Sequence, residues 1–329
     1  MTLSPLPIRL AVIGLGGTIA TSKGAQGLEP TRSIEALLAD LPIDPAKIKL
    51  VPHNLALGPS ASLDFDDVMR VATHIERAVA DGCAGAVVVQ GTDTIEEVAF
   101  ALELLVPTQI PVVVTGAMRS AAQLGADGPA NLVAAITVAS VSDGRTGVLV
   151  VMNDEVHAAR RVRKGHTTSP SAFVSGEAGL VGRLHEGALV RMAGELPPLP
   201  KFKPNGAKWP RVALLKIGFG DDGELLEAIC APQFDGLVLE AMGGGHVPAQ
   251  MLDGIARIAA AMPVILCSRT GEGAVCAQTY DYIGSEQDLI RRGVILGGRL
   301  SALKARLLLV LAMADGRVSI PAMFADLQL

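Results

Sequence analysis

A hydroxyl and a carboxylate stand side by side in the stretch AVVVQGTDTIEE, where an apolar run gives way to a glycine, Thr92 and Asp93. The run over 86–89 is rich in β-branched residues, as in strands buried on both faces, and Glu96 and Glu97 begin a helical pattern. Open α/β sheets bind their ligands at the carboxyl ends of strands. This stretch could therefore hold a polar substrate, although a helix cap with acidic residues favouring the helix dipole gives the same pattern.

A second hydroxyl follows the first predicted strand, over 8–13, in the turn GLGGTIA. The turn begins like the dinucleotide-binding fingerprint G-x-G-x-x-G, but Ile19 occupies the third glycine position, so the fingerprint fails. What remains is a glycine turn that presents the hydroxyl of Thr18, or one in which Thr18 only caps the turn. The polar segment 21–31 that follows has the composition of a mobile lid or of an ordinary surface loop.

A third hydroxyl, that of Ser60, follows a predicted strand over 50–57. Ser62 is predicted to be the N-cap of a helix over 63–80, whose apolar residues recur with a period near 3.6. Since Ser60 is not needed for that cap, its hydroxyl is either free to contact a ligand or part of an ordinary turn.

Strands and helices alternate along the chain, which indicates βαβ units and a largely parallel, doubly wound sheet. The segment 153–168 is polar and basic, and its cluster RRVRK is interpreted as a local loop feature. We predict an α/β fold with a larger N-terminal domain over 1–195, a linker over the proline-rich segment 196–210, and a smaller C-terminal α/β domain over 211–329.

The composition narrows the class of protein. A net charge of −5 with 3% aromatic residues argues against a nucleic-acid-binding surface. No apolar run approaches the roughly 20 residues of a membrane helix, and the N-terminus does not resemble a secretion signal. The four cysteines and six histidines show no metal-ligand spacing. We therefore expect a cytoplasmic protein without a metal site.

Four motifs together resemble those of bacterial-type L-asparaginases. They are GGTIA with Thr18, QGTDTIEE with Thr92 and Asp93, TGAMR over 115–119, and RKGHTT with Lys164. Their order and spacing and the two-domain length agree with that family. The resemblance covers nearly the whole chain, and the joint occurrence of GGTIA and GTDT is specific.

The resemblance implies catalytic roles for four residues. Thr18 would be the nucleophile, and Thr92, Asp93 and Lys164 would form a hydroxyl, carboxylate and amine group that relays protons. The chemistry requires such groups because an amide is a poor electrophile and a free hydroxyl is a weak nucleophile. The resemblance calls for no cofactor and no metal.

The same resemblance implies how the substrate is bound. Ser60 and Asp93 would hold the α-carboxylate and α-amino groups. The backbone N–H groups of Gly17 and Thr92 would stabilise the oxyanion. The carbonyl of Ala117 would accept a hydrogen bond from the leaving amide.

The sequence departs from the family pattern at two positions. Leu28 stands where family members usually carry a tyrosine on the loop after the nucleophile, and Ala61 stands where many carry glutamine. The only tyrosines are Tyr280 and Tyr282, in the second predicted domain. Either the lysine activates the nucleophile through Thr92, or a distant tyrosine substitutes, or the rate is low. His246 aligns with a residue that in the family reaches a neighbour's active site, but it is equally well explained as a turn histidine.

The expected activity is conversion of L-asparagine to L-aspartate and ammonia, with L-glutamine as a second candidate substrate. We expect a homo-oligomer, a dimer or a dimer of dimers, whose active sites combine the large domain of one subunit with the small domain of another. The alternative is a non-catalytic or weakly active amino-acid-binding or regulatory protein of the same fold. The amidase subunit of a tRNA amidotransferase fits less well, because it is expected to need an added N-terminal domain and a tRNA-binding surface.

Overall fold

The computed structural model describes residues 6–23, 28–30, 32–107, 109–204, 208–229 and 233–326. The chain divides into two compact units, unit 1 over residues 1–201 and unit 2 over residues 202–329. The division falls within the proline-rich segment, and the predicted domain bounds themselves stay a prediction. Each unit contains its own sheet with helices, so the predicted α/β class is confirmed.

Unit 1 is built on an eight-stranded sheet with two small two-stranded sheets beside it. Its strands are β1 (Ile8–Gly16), β2 (Thr21–Lys23), β3 (Leu28–Pro30), β4 (Ile48–Gly58), β5 (Gly85–Val89), β6 (Val112–Thr115), β7 (Leu149–Met152), β8 (Glu155–Ala158), β9 (Arg163–Lys164), β10 (Phe173–Val174), β11 (Gly182–His185) and β12 (Ala188–Arg191). Its α-helices are α1 (Ile34–Leu38), α2 (Phe65–Ala80), α3 (Ile95–Leu105) and α4 (Gly128–Val141).

The large sheet has the strand order β12-β11-β8-β7-β6-β5-β1-β4. From β4 to β7 all neighbours are parallel, whereas β7, β8, β11 and β12 pair antiparallel. Every residue of β5, β6 and β7 is buried, as expected for parallel strands covered by helices on both faces. The polar and basic segment 153–168, for which no strand is predicted above, contains β8 and β9.

Helix α2 begins two residues later than predicted, and the prediction of Ser62 as its N-cap is wrong. Asp64 is the N-cap, and its carboxylate accepts a hydrogen bond from the N–H of Asp67 at 2.9 Å. The carboxylate of Asp67 in turn accepts a hydrogen bond from the N–H of Asp64 at 3.0 Å, which completes a capping box. Ser62 instead closes a short 3₁₀ turn, Ser60–Ser62.

Helix α3 is buried along nearly its whole length, including the charged residue Glu103, which is 1% exposed. The guanidinium of Arg160 compensates this charge, and its Nε lies 2.9 Å from the Glu103 carboxylate. Arg160 also donates to the carbonyl of Pro197 at 2.7 Å. The interpretation of the basic cluster as a local loop feature is therefore wrong for Arg160, which is a buried ion-pair residue.

Unit 2 contains a four-stranded parallel sheet in the order β13 (Val212–Lys216), β14 (Gly236–Ala241), β15 (Val264–Ser268) and β16 (Ile295–Leu296). Its helices are α5 (Glu224–Ile229), α6 (Leu252–Ala261), α7 (Glu286–Arg291), α8 (Ala302–Asp315) and α9 (Ile320–Asp326). Most of α8 is buried, so it forms part of the core of this unit. The sequence pattern predicts a helix near 223–231, and the end of that range lies outside the described residues. In the described part of the chain, none of the helices combines the length and the apolar character that a membrane span requires.

Candidate active site

Four of the predicted site residues follow four parallel strands at one edge of the large sheet. Thr18 comes after β1, Ser60 after β4, Thr92 after β5 and Ala117 after β6. These strands are consecutive neighbours in the order β6-β5-β1-β4, so their carboxyl ends lie side by side. The structure therefore brings together turns that are far apart in the sequence.

The turns after β1 and β5 touch through their backbones. Gly17 has φ +84°, and a Cβ atom placed on it would overlap the nitrogen of Gly91. A Cβ on Gly91 would in turn lie 2.7 Å from the Oγ of Ser60. The two glycines thus allow the Thr18 turn, the Thr92 turn and Ser60 to approach more closely than larger residues would permit.

Thr18 begins a 3₁₀ turn, Thr18–Ala20, and is partly exposed. Its carbonyl accepts a hydrogen bond from the Thr21 hydroxyl at 2.7 Å. Among the residues that the structure describes, none makes a hydrogen bond with the hydroxyl of Thr18 itself. The N–H of Gly17, predicted as an oxyanion donor, donates to the carbonyl of Gly58 at 3.1 Å. Its predicted role therefore requires that bond to be shared or broken.

The segment after Thr18 forms a two-stranded hairpin, in which β2 and β3 pair antiparallel. Residues 24–27 and Thr31 of the predicted lid lie outside the described residues, so the lid stays a prediction. The backbone of Leu28 pairs with that of Lys23, and the Leu28 side chain also lies outside the description. Ala61 is exposed in the 3₁₀ turn beside Ser60.

Thr92, Asp93 and Lys164 form one hydrogen-bonded group. The Nζ of Lys164 donates to the Oγ1 of Thr92 at 2.9 Å and to the Oδ1 of Asp93 at 2.7 Å. Thr92 is buried, the Lys164 side chain is 17% exposed, and the Asp93 side chain is 66% exposed. An amine that is largely shielded from water thus links a buried hydroxyl to a carboxylate that faces solvent.

Ser60 is 2% exposed, and its Oγ has no hydrogen-bond partner among the residues that the structure describes. The Thr94 hydroxyl donates to the carbonyl of Ser60 at 3.1 Å and accepts from the side-chain amide of Gln90 at 3.3 Å. Thr94 was a candidate helix cap by sequence, yet its side chain makes no capping hydrogen bond. A buried hydroxyl without a partner costs free energy, which is recovered when a ligand supplies the missing partner.

Ala117 lies in a turn that is fixed by two residues the sequence reasoning did not assign to the site. The Asp127 carboxylate accepts from the N–H groups of Met118 and Arg119 at 3.0 and 2.9 Å. The side-chain amide of Asn131 donates to the carbonyl of Gly116 at 3.0 Å. The sequence over 127–131, with a proline in the first turn, indicates only the start of a helix, and nothing in the pattern points to the turn that Asp127 and Asn131 hold.

Unit 2 contains a separate cluster around His246. The Nδ1 of His246 lies 3.0 Å from the Tyr282 hydroxyl, and its Nε2 lies 3.3 Å from the carboxylate of the buried Glu286. Burial alone would raise the pKa of Glu286, but hydrogen bonds from the N–H groups of Tyr280 and Thr279 and the His246 ring hold this pKa below its ordinary value. Burial and then the neighbouring Tyr280 raise the pKa of Tyr282. His246 is thus more than a turn residue, because it connects a tyrosine to a buried carboxylate.

The described ranges contain no group of three or more His, Cys, Asp or Glu side chains that could hold a metal ion.

Comparison with known proteins gives consistent matches over nearly the whole chain. The family model described as "Asparaginase, N-terminal" matches residues 9–196, and "Glutaminase/Asparaginase C-terminal domain" matches residues 211–323. A probable L-asparaginase of Deinococcus radiodurans is 36% identical over 312 residues, which is 94% of each chain. A probable periplasmic L-asparaginase of Haemophilus influenzae is 32% identical over 93% of this chain and 88% of that protein. The crystal structure of a probable cytoplasmic L-asparaginase from Campylobacter jejuni agrees with a TM-score of 0.85 at 28% identity, over 97% of this chain and 98% of that chain.

Proposed function

This chain belongs to the asparaginase family, and on that premise we propose that it hydrolyses L-asparagine to L-aspartate and ammonia through an ester on Thr18. The observation that carries the proposal is the hydrogen-bonded group of Thr92, Asp93 and Lys164 beside the Thr18 turn. The alternative of a non-catalytic binding protein is not favoured, because two relatives that match more than nine-tenths of the chain are named as probable L-asparaginases.

The substrate is held at its amino-acid end. The unpartnered hydroxyl of Ser60 donates to the α-carboxylate, and the exposed carboxylate of Asp93 accepts from the α-ammonium group. Two features support these roles, namely the missing partner of the Ser60 Oγ and the outward position of Asp93. L-Glutamine can make the same two contacts. It has one more methylene than L-asparagine, and one methylene alters the free energy by which an enzyme distinguishes two substrates by only about 1–3 kcal/mol.

The reaction begins when the Thr18 oxygen attacks the side-chain carboxamide carbon. The threonine proton passes to a base and then to the leaving nitrogen, the C–N bond breaks, and ammonia departs. Water then hydrolyses the ester, which releases aspartate and restores the Thr18 hydroxyl. The N–H group of Thr92 stabilises the oxyanion, and that of Gly17 joins it once its bond to the Gly58 carbonyl is shared or broken. One preorganised donor contributes roughly 3–4 kcal/mol. The carbonyl of Ala117 accepts a hydrogen bond from the leaving amide.

Two routes can activate Thr18 without the usual loop tyrosine. Lys164 can take the proton through the hydroxyl of Thr92 once its amine has given up a proton and the bond that it donates to Thr92 is reversed. The second route uses Tyr282 or Tyr280 from unit 2 of another subunit. Tyr282 is supported by its hydrogen bond to His246.

We propose a homo-oligomer, a dimer or a dimer of dimers, in which the His246 loop of one subunit reaches the active site of another. We also propose a cytoplasmic location. The structural neighbour is described as a probable cytoplasmic L-asparaginase, whereas one of the relatives above is described as periplasmic.

The direct test is ammonia release from L-asparagine by the purified protein and by Thr18→Ala. Loss of a nucleophilic hydroxyl is expected to lower kcat by about 10⁴-fold or more. Thr73→Ala, the same change at an exposed position in α2, is the matched control and should keep wild-type turnover. Binding of asparagine without ammonia release in the wild-type protein would instead support the non-catalytic alternative, and full turnover in Thr18→Ala would exclude Thr18 as the nucleophile.

A further inference from the structure

Lys164 lies in the short strand β9, which pairs antiparallel with β10 beside the buried Phe173. Strand β9 has only two residues, and residues 165–168 after it are all exposed. The ion pair with Asp93 cannot anchor this segment strongly, because the Asp93 side chain is 66% exposed and exposed ion pairs contribute little stability. A further contact reaches the main chain of Lys164 from α3.

Glu96 supplies that contact. Its Oε2 accepts a hydrogen bond from the backbone N–H of Lys164 at 2.7 Å, across 68 positions of the sequence. A bond of this length from an N–H to an ionised acceptor belongs to the stronger class of hydrogen bonds. Glu96 lies in the first turn of α3, a helix that is buried along nearly its whole length and is therefore a rigid support.

The five residues 92–96 thus hold Lys164 at both ends. Thr92 and Asp93 accept from its amine, and Glu96 accepts from its main chain. The lysine side chain is a flexible stem of four carbons, and a fixed main chain limits the positions that its amine can reach. An acidic residue at this point in a helix could merely favour the helix dipole. The hydrogen bond from Lys164 of β9 shows that Glu96 also connects α3 to another element.

We propose that Glu96 is a positioning residue for Lys164, an inference that rests on the function proposed above. Glu96 fixes the main chain of Lys164 so that the amine meets Thr92 and Asp93 together. It contacts none of the atoms that react. A misplacement of catalytic groups by about 1 Å can lower turnover about 10²-fold, which sets the scale of the effect.

We call the hydrogen bond from the Lys164 main chain to Glu96 the tether. Three variants of Glu96 distinguish an effect of the tether from an effect of the negative charge alone. Glu96→Ala removes the acceptor. Glu96→Asp keeps the charge but is one methylene too short for the same bond. Glu96→Gln keeps an oxygen acceptor at the same reach and removes the charge. Glu76→Ala is the matched control, because Glu76 is an exposed residue of α2. Thermal unfolding establishes that each variant is folded before kcat and KM for L-asparagine are measured.

We expect Glu96→Ala and Glu96→Asp to lose about 10²-fold in kcat with KM nearly unchanged, because Ser60 and Asp93 still bind the substrate. Glu96→Gln should stay within about threefold of the wild type, as should Glu76→Ala. Wild-type kcat in Glu96→Ala, or an equal loss in Glu96→Gln and Glu96→Ala, would overturn the proposal.

A second measurement keeps this test separate from that of the proposed function. Hydrogen exchange of the peptide containing the Lys164 amide should be faster in Glu96→Ala than in the wild type and Glu96→Gln, with or without turnover. Absence of ammonia release by the wild-type protein would refute the proposed function, while exchange would still report on the tether. Unchanged exchange in Glu96→Ala would refute the tether even in an active enzyme.

Discussion

Replacing Gly17 with alanine should disrupt the contact between the turns after β1 and β5. Gly17 has φ +84° and ψ −176°, a conformation open essentially only to glycine, and forcing alanine into it costs about 1–3 kcal/mol. The new Cβ would also overlap the nitrogen of Gly91 and lie 2.7 Å from the carbonyl carbon of Gln90. Both are backbone atoms at the end of a buried strand, so they cannot move aside cheaply. Overpacking of this kind adds about 1–3 kcal/mol.

Gly179 offers a matched control in the same unit. Its φ of +69° and ψ of −175° are close to those of Gly17, but a Cβ there would meet no atom within 4 Å. Gly179→Ala therefore measures the backbone strain alone, and its difference from Gly17→Ala measures the overlap. The overlap costs about 1–3 kcal/mol, and each kcal/mol lowers the unfolding temperature by about 2–4 °C. We therefore expect Gly17→Ala to unfold at a temperature roughly 2–12 °C below that of Gly179→Ala.

The activity of the two variants should differ as well. To relieve the overlap, the Thr18 turn must move away from the Thr92 turn, and about 1 Å of displacement can lower kcat about 10²-fold. Gly179→Ala should keep wild-type kcat. Calorimetry and ammonia release, at a temperature where both variants are folded, provide the assay. Equal unfolding temperatures together with wild-type turnover in Gly17→Ala would refute the inferred contact between the turns.

Three further predictions concern the core, the pH dependence and the assembly. Arg160→Met should lower the free energy of unfolding in urea by about 3–5 kcal/mol, because it leaves Glu103 charged and buried, and adding Glu103→Leu should restore much of the loss. Burial lowers the pKa of His157 from 6.5 to about 4. The folded state therefore resists protonation, and stability should fall by about 3 kcal/mol as the pH drops from about 6.5 to 4. In His157→Gln this part of the pH dependence should disappear from urea titrations. If active sites are shared between subunits, mixing Thr18→Ala and His246→Ala subunits should restore activity at about a quarter of the sites, and no recovery on mixing would contradict sharing.

The parallel core could be predicted from the sequence because its strands are continuous apolar runs. The sequence predicts strands over 86–89, 110–115 and 147–152, and β5, β6 and β7 lie within one or two residues of these bounds. The prediction of the asparaginase family is also confirmed, since its motifs follow these strands and the family models match most of the chain.

The short antiparallel strands and the helix cap could not be predicted in the same way. Strands β8 and β9 are short and lie among polar residues, so they lack the apolar run that identified the central strands. Ser62 and Asp64 are both good capping residues two positions apart, and only the reciprocal bond to Asp67 decides between them.

Parts of the site depend on contacts between distant positions and leave no local pattern. An acidic residue in a first helical turn is common, so nothing in the sequence indicated that Glu96 binds the main chain of Lys164. His246 was equally consistent with a turn, and only folding of unit 2 places it between Tyr282 and Glu286. General rules thus located the site at the carboxyl ends of the parallel strands, but they did not identify the residues that support the site.

The proposed mechanism depends most on an ester between the substrate and Thr18. Mixing the protein with L-asparagine, quenching in acid within the first turnover and sequencing the peptides by mass spectrometry tests this directly. We predict one aspartyl group on the peptide that contains Thr18, attached to that residue, and none in Thr18→Ala. An aspartyl group on Thr92, or ammonia release in the first turnover with no aspartyl group on any peptide, would contradict the proposed mechanism.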